Sequence, residues 1–304
     1  MDSKLIPVVS IVIPTFNHAN FLEKALDSIV NQSYKNWEAI VIDNHSTDET
    51  SKIVQNYKDS RIKYLKIDNN GIIAKSRNLG IKASKGDWVA FLDSDDWWSN
   101  DKLEICSKYF NHKVDFIYHG LKIIYHNTKF NFKRKKSVGR NLNQPILINL
   151  LTSVIDDGSA IGNSSVIVRK NILKKIGGIN ESQKLVASED FNTWLRVAKE
   201  TNRFKYLEQT LGFYLVHEKS AQKRDLSIPH RECLVEFMSY LNIKQKLSLE
   251  VKLKYMSGNY KILNNNYNDA KKDFIFVLKN GAINLKFRSL LKILLIIFKL
   301  NEKK

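Results

Sequence analysis

Four short apolar runs punctuate the first hundred residues: Val8 to Ile13, Trp37 to Ile42, Ile62 to Ile67 and Trp88 to Leu92. Each is rich in β-branched or aromatic side chains and is bounded by Pro, Asp, Asn or Gly, the pattern of a strand. Between them Phe21, Leu22, Ala25, Leu26, Ile29 and Val30 recur at the 3.6-residue period, and Ile53, Val54 and Tyr57 do so more weakly. Strands alternating with helices imply βαβ units and an α/β fold with an open, mostly parallel sheet flanked by helices. Polar, turn-forming segments follow every strand on the same side: Pro14 to Asn17, Asp43 to Asp48, Asp68 to Ile73 and Asp93 to Asp96. In such a sheet the loops at the carboxyl ends of the strands form the binding face.

After Asn100 the alternation weakens. Residues 116–126 predict one or two strands, Lys133 to Lys136 an exposed basic loop, and Ser164 to Lys170 a strand leading into a short helix stopped by Gly177 and Gly178. From Ser220 on, helical spacing dominates. The expected organisation is therefore an α/β domain over residues 1–220 and a helical, basic C-terminal extension over residues 221–304. Near its end, Leu285 to Leu300 would set Arg288, Lys292 and Lys299 within about 40° of one another on a helix, leaving a wide apolar face. That face either packs on the preceding helices or lies on an anionic bilayer.

Composition sharpens this picture in three ways. With 304 residues, 43% of them apolar, the chain can bury a sizeable core. Its formal charge is +18, and residues 221–304 carry 17 Lys and Arg against 7 Asp and Glu, which suits an anionic partner: nucleotide phosphates, lipid headgroups or nucleic acid. Two cysteines in unrelated contexts, Cys106 and Cys233, give neither a disulfide framework nor a zinc pattern. The N-terminus lacks the basic start, long apolar centre and cleavage site of a signal peptide, and no apolar stretch reaches the length of a spanning helix. The expectation is a cytoplasmic protein.

Against this basic background the run "VAFLDSDDWW" (Val89 to Trp98) puts Asp93, Asp95 and Asp96 within four positions. Like charges so close raise each other's pKa unless something cationic sits among them, and a metal ion is the first candidate. If the strand continued, its period of two would point Asp93 and Asp95 to one side. Mg²⁺ or Mn²⁺ takes one or two protein carboxylates and completes its shell with water and phosphate oxygens, which implies a diphosphate partner. The structural alternative is an Asx turn capping the next helix.

Three segments, "VSIVIPTFNHANFLEKALDSIVNQSYKNWEAIVIDNHSTDET", "NNGIIAKSRNLGIKASKGDWVAFLDSDDWW" and "ASEDFNTWLRVA", resemble glycosyltransferase family 2, the enzymes of GT-A fold that use nucleotide sugars. The resemblance runs from about Val8 to about Ser220 and keeps the family's motif order. It implies that Thr15, Asn17 and Asp43 line the nucleoside pocket, that Arg77 and Asn78 lie near the diphosphate, that Asp93 faces the ribose, and that Asp95 binds the metal. Many members carry a second Asp where this chain has Asn44, a position that can contact the base, so the base of the donor stays open. By the same resemblance Asp190 is the general base, with Glu189 as its neighbour, and His217 contacts diphosphate and metal. Asn163 and Ser164 match a segment bordering the acceptor cleft.

The reading that follows is a metal-dependent inverting glycosyltransferase. It would use Mg²⁺ or Mn²⁺, a nucleotide-sugar donor, expected to be a UDP-sugar, and a saccharide or lipid-linked saccharide acceptor, in cell-surface polysaccharide synthesis, with peripheral contact at the inner face of the cell membrane. Two rivals differ in class. A catalytically inactive nucleotide-sugar binding module would not need Asp93, Asp95 and Asp190 together. A basic nucleic-acid-binding protein would need aromatics interleaved with Lys and Arg, whereas Trp97 and Trp98 adjoin acids; no nucleic-acid partner is expected.

Overall fold

The computed structural model describes residues 8–126, 137–156, 160–217 and 225–301, so the basic run Lys133 to Lys136 lies outside the described residues. The chain divides into two compact units, residues 1–150 with 159–219, and residues 151–158 with 220–304.

The first unit is built on one sheet. β1 (Val9–Thr15), β2 (Trp37–Asp43), β3 (Ile62–Lys66) and β4 (Trp88–Phe91) are joined through α1 (Ala19–Val30), α2 (Thr50–Asn56) and α3 (Ile73–Ala83). They lie parallel in the order β3-β2-β1-β4. Every residue of β1, β2 and β4 is buried, as expected of parallel strands covered on both faces. α1 covers one face with Leu22, Ala25, Leu26 and Ile29, a stripe at i, i+3, i+4 and i+7. α3 approaches the sheet closely because position 80 is glycine: a Cβ there would stand 2.5 Å from Val12 Cγ1 and 2.8 Å from Ile42 Cδ1.

Beyond β4 the strand directions mix, although the long ladders stay parallel and the antiparallel ones are short, in keeping with the expected open, mostly parallel sheet. β5 (Trp97–Trp98), β6 (Phe116–Tyr125), β7 (Ser137–Val138), β8 (Ile167–Arg169) and β9 (Phe204–Val216) extend the order to β4-β8-β6-β9-β5, with β7 on β6. β8 runs antiparallel to both β4 and β6, while β6 and β9 are parallel. β8 is reached through a 3₁₀ turn, Asn163–Ser165, rather than through a covering helix, so no crossover rule holds it parallel. α4 (Lys102–Ser107), α5 (Ile146–Asp156), α6 (Lys170–Lys175) and α7 (Glu189–Glu200) complete the α/β part of the chain. Strand order reverses at β1, so the crevice outside the ends of β1 and β4 is the topological switch point, where open α/β sheets place ligands.

The second unit is helical: α8 (Ser227–Glu232), α9 (Ile243–Leu263), α10 (Tyr267–Asn280) and α11 (Ile283–Asn301). A capping box opens α9, Asn242 Oδ1 accepting from Gln245 N at 2.9 Å while Gln245 Oε1 accepts from Asn242 N at 2.9 Å. Tyr267, Ala270 and Phe274 of α10 form a small core with Ile293 and Ile296 of α11. Beside it Asp273, buried, accepts hydrogen bonds from Lys254 (3.0 Å), Ser257 (2.8 Å) and Lys261 (2.5 Å).

Candidate active site

At the end of β1 and β2, Thr15 pairs in register with Asp43, and three loops are stitched together around them. Asp43 is fully buried; its Oδ1 accepts from Ser46 N (3.0 Å) and Ser46 Oγ (2.5 Å), and its Oδ2 from the Tyr64 hydroxyl (2.5 Å). Burial and the Asp43 charge push the Tyr64 hydroxyl up, so it remains a donor. Asn17 sits at φ +50°, donating from its N to Ser46 Oγ (2.8 Å) and accepting at Oδ1 from Thr47 N (2.8 Å). Asn44 Oδ1 accepts from Asn69 N (2.8 Å). Within this frame the Thr15 hydroxyl is buried without a partner among the described residues.

The acid cluster does not continue the strand. β4 ends at Phe91, and Asp93 to Asp96 form a tight turn closed by Asp96 N donating to Asp93 O at 3.0 Å. The turn, not strand alternation, therefore aims the carboxylates. It sends them to three different fates. Asp93 Oδ1 accepts from Arg77 Nη2 (2.8 Å) and Asn163 Nδ2 (2.9 Å). Asp96 turns inward, accepting from Ser164 Oγ (2.5 Å) and Leu215 N (3.0 Å), and burial beside Asp95 and Asp93 holds its pKa well above the ordinary carboxylate range. Asp95 stays partly open, its Oδ2 lying 3.1 Å from His217 Nε2.

Arg77, on α3, is the cation among the acids. It is 3% exposed and pairs with Asp93 on one side and, through Nη1 at 2.6 Å, with Glu189 on the other. Burial alone would lower its pKa, but the Asp93, Glu189 and Asp190 carboxylates raise it, so it is permanently charged. Both terminal nitrogens are thus committed to protein carboxylates. Asn78 is committed too: its Nδ2 donates to Ile179 O and Glu181 Oε1 (2.8 Å each), and its Oδ1 accepts from Ile179 N at 2.9 Å. It braces the loop at Gly178, whose φ of +77° favours glycine and where a Cβ would meet Asn78 Oδ1 at 2.8 Å.

Glu189 and Asp190 open α7. Glu189 is buried, and its second oxygen accepts from Ala187 N at 2.7 Å. Asp190 is half-buried; its only hydrogen bond among the described residues comes from Phe191 N at 2.7 Å. Desolvation, then the Glu189 charge, push its pKa up to about 7, against the pull of Arg77. One carboxylate of the pair is fixed as a counter-ion, and the other is poised to exchange a proton near neutrality.

The family model for glycosyl transferase family 2 matches residues 10–177, more than half of the chain and the span that holds this turn and α3. The chain belongs to glycosyl transferase family 2. It is similar to the UDP-Glc:alpha-D-GlcNAc-diphosphoundecaprenol beta-1,3-glucosyltransferase WfgD of Escherichia coli, 32% identical over 197 residues that make up 64% of this chain and 71% of WfgD. WfaP of Escherichia coli is 27% identical over 213 residues, 70% of this chain and 79% of WfaP, while further curated relatives match over 100 to 102 residues, 14% to 40% of their own length. Among solved structures, S. aureus TarS 1-349 in complex with UDP-GlcNAc superposes with a TM-score of 0.62 at 19% identity, covering 95% of this chain and 88% of TarS 1-349. The mannosyltransferase PcManGT from Pyrobaculum calidifontis, in complex with GDP-Man and Mn²⁺, superposes at 0.61 and 15% identity, covering 98% and 82%. The GT-A fold is thereby shared.

In this family 2 transferase, sequence reasoning did not foresee how one side chain holds the acid turn. Ser164 Oγ accepts from Asp93 N (3.1 Å) while donating to Asp96, and Ser164 O accepts from Trp98 Nε1 (2.7 Å) and from Lys102 Nζ (3.0 Å). Lys102 is fully buried over the Trp98 ring, with its pKa well below the ordinary lysine value because of burial. His18 was likewise missed; its Nδ1 lies 2.8 Å from Ser94 Oγ, and its ring stands edge-on to His217 at 6.2 Å. For Lys102 the spacing of four residues after Trp98 was a signal, whereas Ser164, singled out only as bordering the acceptor cleft, gave none for this role.

Proposed function

We propose that this glycosyltransferase moves a sugar from a nucleotide-sugar donor, a UDP-sugar, to a hydroxyl of a lipid-linked saccharide, inverting the anomeric carbon, in surface-polysaccharide synthesis. The observation that carries the reading is the division of labour between Glu189 and Asp190: Arg77 holds Glu189 and Asp93, and leaves Asp190 with a proton affinity suited to a general base. WfgD acts from UDP-Glc on a diphosphoundecaprenol-linked sugar, which supports the donor and acceptor classes.

In this mechanism Thr15, Asn17, Asp43 and Asn44 receive the nucleoside, the Thr15 hydroxyl supplying the unused hydrogen-bonding group. Asp93, gripped by Arg77 and Asn163, presents its remaining oxygen to the ribose. Arg77 and Asn78 act on the donor indirectly, by fixing Asp93 and the Gly178 loop. Asp190 takes the proton of the acceptor hydroxyl as it attacks C1 opposite the leaving diphosphate. A single displacement of this kind inverts configuration and needs no covalent enzyme intermediate.

The residues at the turn fit a divalent cation. Asp95 offers the carboxylate oxygen that Mg²⁺ or Mn²⁺ favours, no donor among the described residues reaches its Oδ1, and His217 stands beside it as a second candidate ligand; with no group of three His, Cys, Asp or Glu among the described residues, phosphate and water would complete the shell. Bound there, the ion would neutralise charge on the departing diphosphate. No helix among the described residues is long and apolar enough to cross a membrane. A lipid-linked acceptor would bring the enzyme to the inner membrane face.

Calorimetry of UDP and dTDP with and without Mn²⁺ tests the reading. UDP should bind in an Mn²⁺-dependent manner, and Asp95→Ala should weaken that binding by at least about 10-fold. Failure of every nucleoside diphosphate to bind would remove the transferase mechanism.

A further inference from the structure

α11 buries only a narrow stripe. Ser289, Ile293 and Ile296 face the core of the helical unit, with Leu285, Lys286 and Lys292 half-buried beside them. On the opposite side Ile283, Phe287, Leu290, Leu291, Leu294, Leu295, Ile297 and Phe298 are exposed, from 39% to 86%. At about 100° per residue these eight side chains form one continuous apolar band roughly 160° wide. Scattered exposed leucines are ordinary, but a band running the whole length of a 19-residue helix is not.

Charge decides what covers it. Between Ile283 and Asn301 there are four basic residues and no Asp or Glu, and Arg288 and Lys292 border the band on one side while Lys286 borders it on the other. A second copy of this helix would bring the same cations together with no acid to answer them. A surface that is apolar within and anionic at its rim answers both features.

We propose that the outward face of α11 is an in-plane membrane anchor that inserts its apolar band into the acyl boundary of an anionic bilayer, with Arg288, Lys292 and Lys286 at headgroup level. The helix is ~28 Å long and lies along the surface instead of spanning it. This deepens the reading of a lipid-linked acceptor, because it holds the whole chain on the surface where that acceptor resides.

The test uses the full chain and vesicles without donor or acceptor, so its outcome is independent of the transferase reading. Flotation with phosphatidylglycerol vesicles should capture the protein, phosphatidylcholine vesicles should capture roughly 10-fold less, and added salt should weaken capture. In Phe287→Trp, emission should shift to the blue on phosphatidylglycerol vesicles, reporting insertion rather than surface adsorption by lysines elsewhere. The triple variant Leu291→Glu, Leu294→Glu, Phe298→Glu changes exposed positions only; it should lose capture roughly 10-fold or more while its Tm stays as in the wild type. Capture unchanged in that variant, or an unshifted Trp signal, overturns the proposal. So does a wild-type dimer in light scattering that the triple variant converts to monomer, since the band would then belong to a second copy.

Discussion

At the residue scale, three carboxylates in four positions are told apart by their neighbours. Asp96 is spent inside, Asp93 is clamped and Asp95 is left open. Asp190 carries a cost that can be measured. Its pKa is raised from 3.8 to about 7, so the folded state holds a proton that the unfolded chain releases, and stability falls as pH climbs across that interval. Asp190→Asn should therefore raise Tm at pH 8 relative to wild type while lowering kcat by roughly 10²–10⁴-fold, with UDP binding retained. In the wild type, kcat/KM should rise with pH through a limb near 7, and the residual activity of Asp190→Asn should lack that limb. Ser164→Ala tests the other end of the cluster. It strands Asp96 without its hydroxyl donor and Asp93 N without an acceptor, so the fold should lose about 1–3 kcal/mol in denaturant unfolding. Donor KM should rise as the turn loosens, whereas a merely structural serine would leave KM unchanged.

At the element scale, the parallel half of the sheet was legible in the sequence because β1, β2 and β4 are buried on both faces and so are written as largely apolar runs, while the half-buried edge strand β3 still shows through Ile62, Tyr64 and Leu65 set among Lys63 and Lys66. β8 and its 3₁₀ turn were harder to place: "GNSSVIV" gives a strand, but nothing local says that it returns antiparallel between β4 and β6. The tasks of Arg77 and Asn78 were illegible for a related reason. A helix sequence says which residues share a face, but Arg77 meets Glu189 across 112 positions of chain. The helical unit has a small core. Phe274, fully buried between α9 and α11, should cost about 3–5 kcal/mol when cut to Ala, and should melt this unit ahead of the sheet in hydrogen exchange. Asp273 gives the unit an acid sensitivity. Burial raises its pKa, but hydrogen bonds from Lys261, Lys254 and Ser257 outweigh burial and lower it. Its contribution is thus present above the ordinary carboxylate pKa and is lost as pH falls below it.

At the scale of the whole molecule, the charge that composition alone left ambiguous resolves by location. Acids gather at the switch point of the sheet, and much of the basic excess lies in the helical unit, where an apolar band accompanies it. The placement of β8 has a consequence in time. During synthesis β1 to β4 emerge together and can pair, but β4 keeps one bare edge until Ile167 to Arg169 leave the ribosome, Ile167 standing 76 residues after Phe91. At ordinary elongation rates that is a wait of about 4–15 s, during which the half-built sheet offers an unsatisfied strand to any neighbour and the acid turn has neither Ser164 nor Glu189 to hold it. The catalytic centre is thus among the last parts of the first unit to close, and the nascent chain is most exposed to misassociation just before it gains the ability to bind its donor.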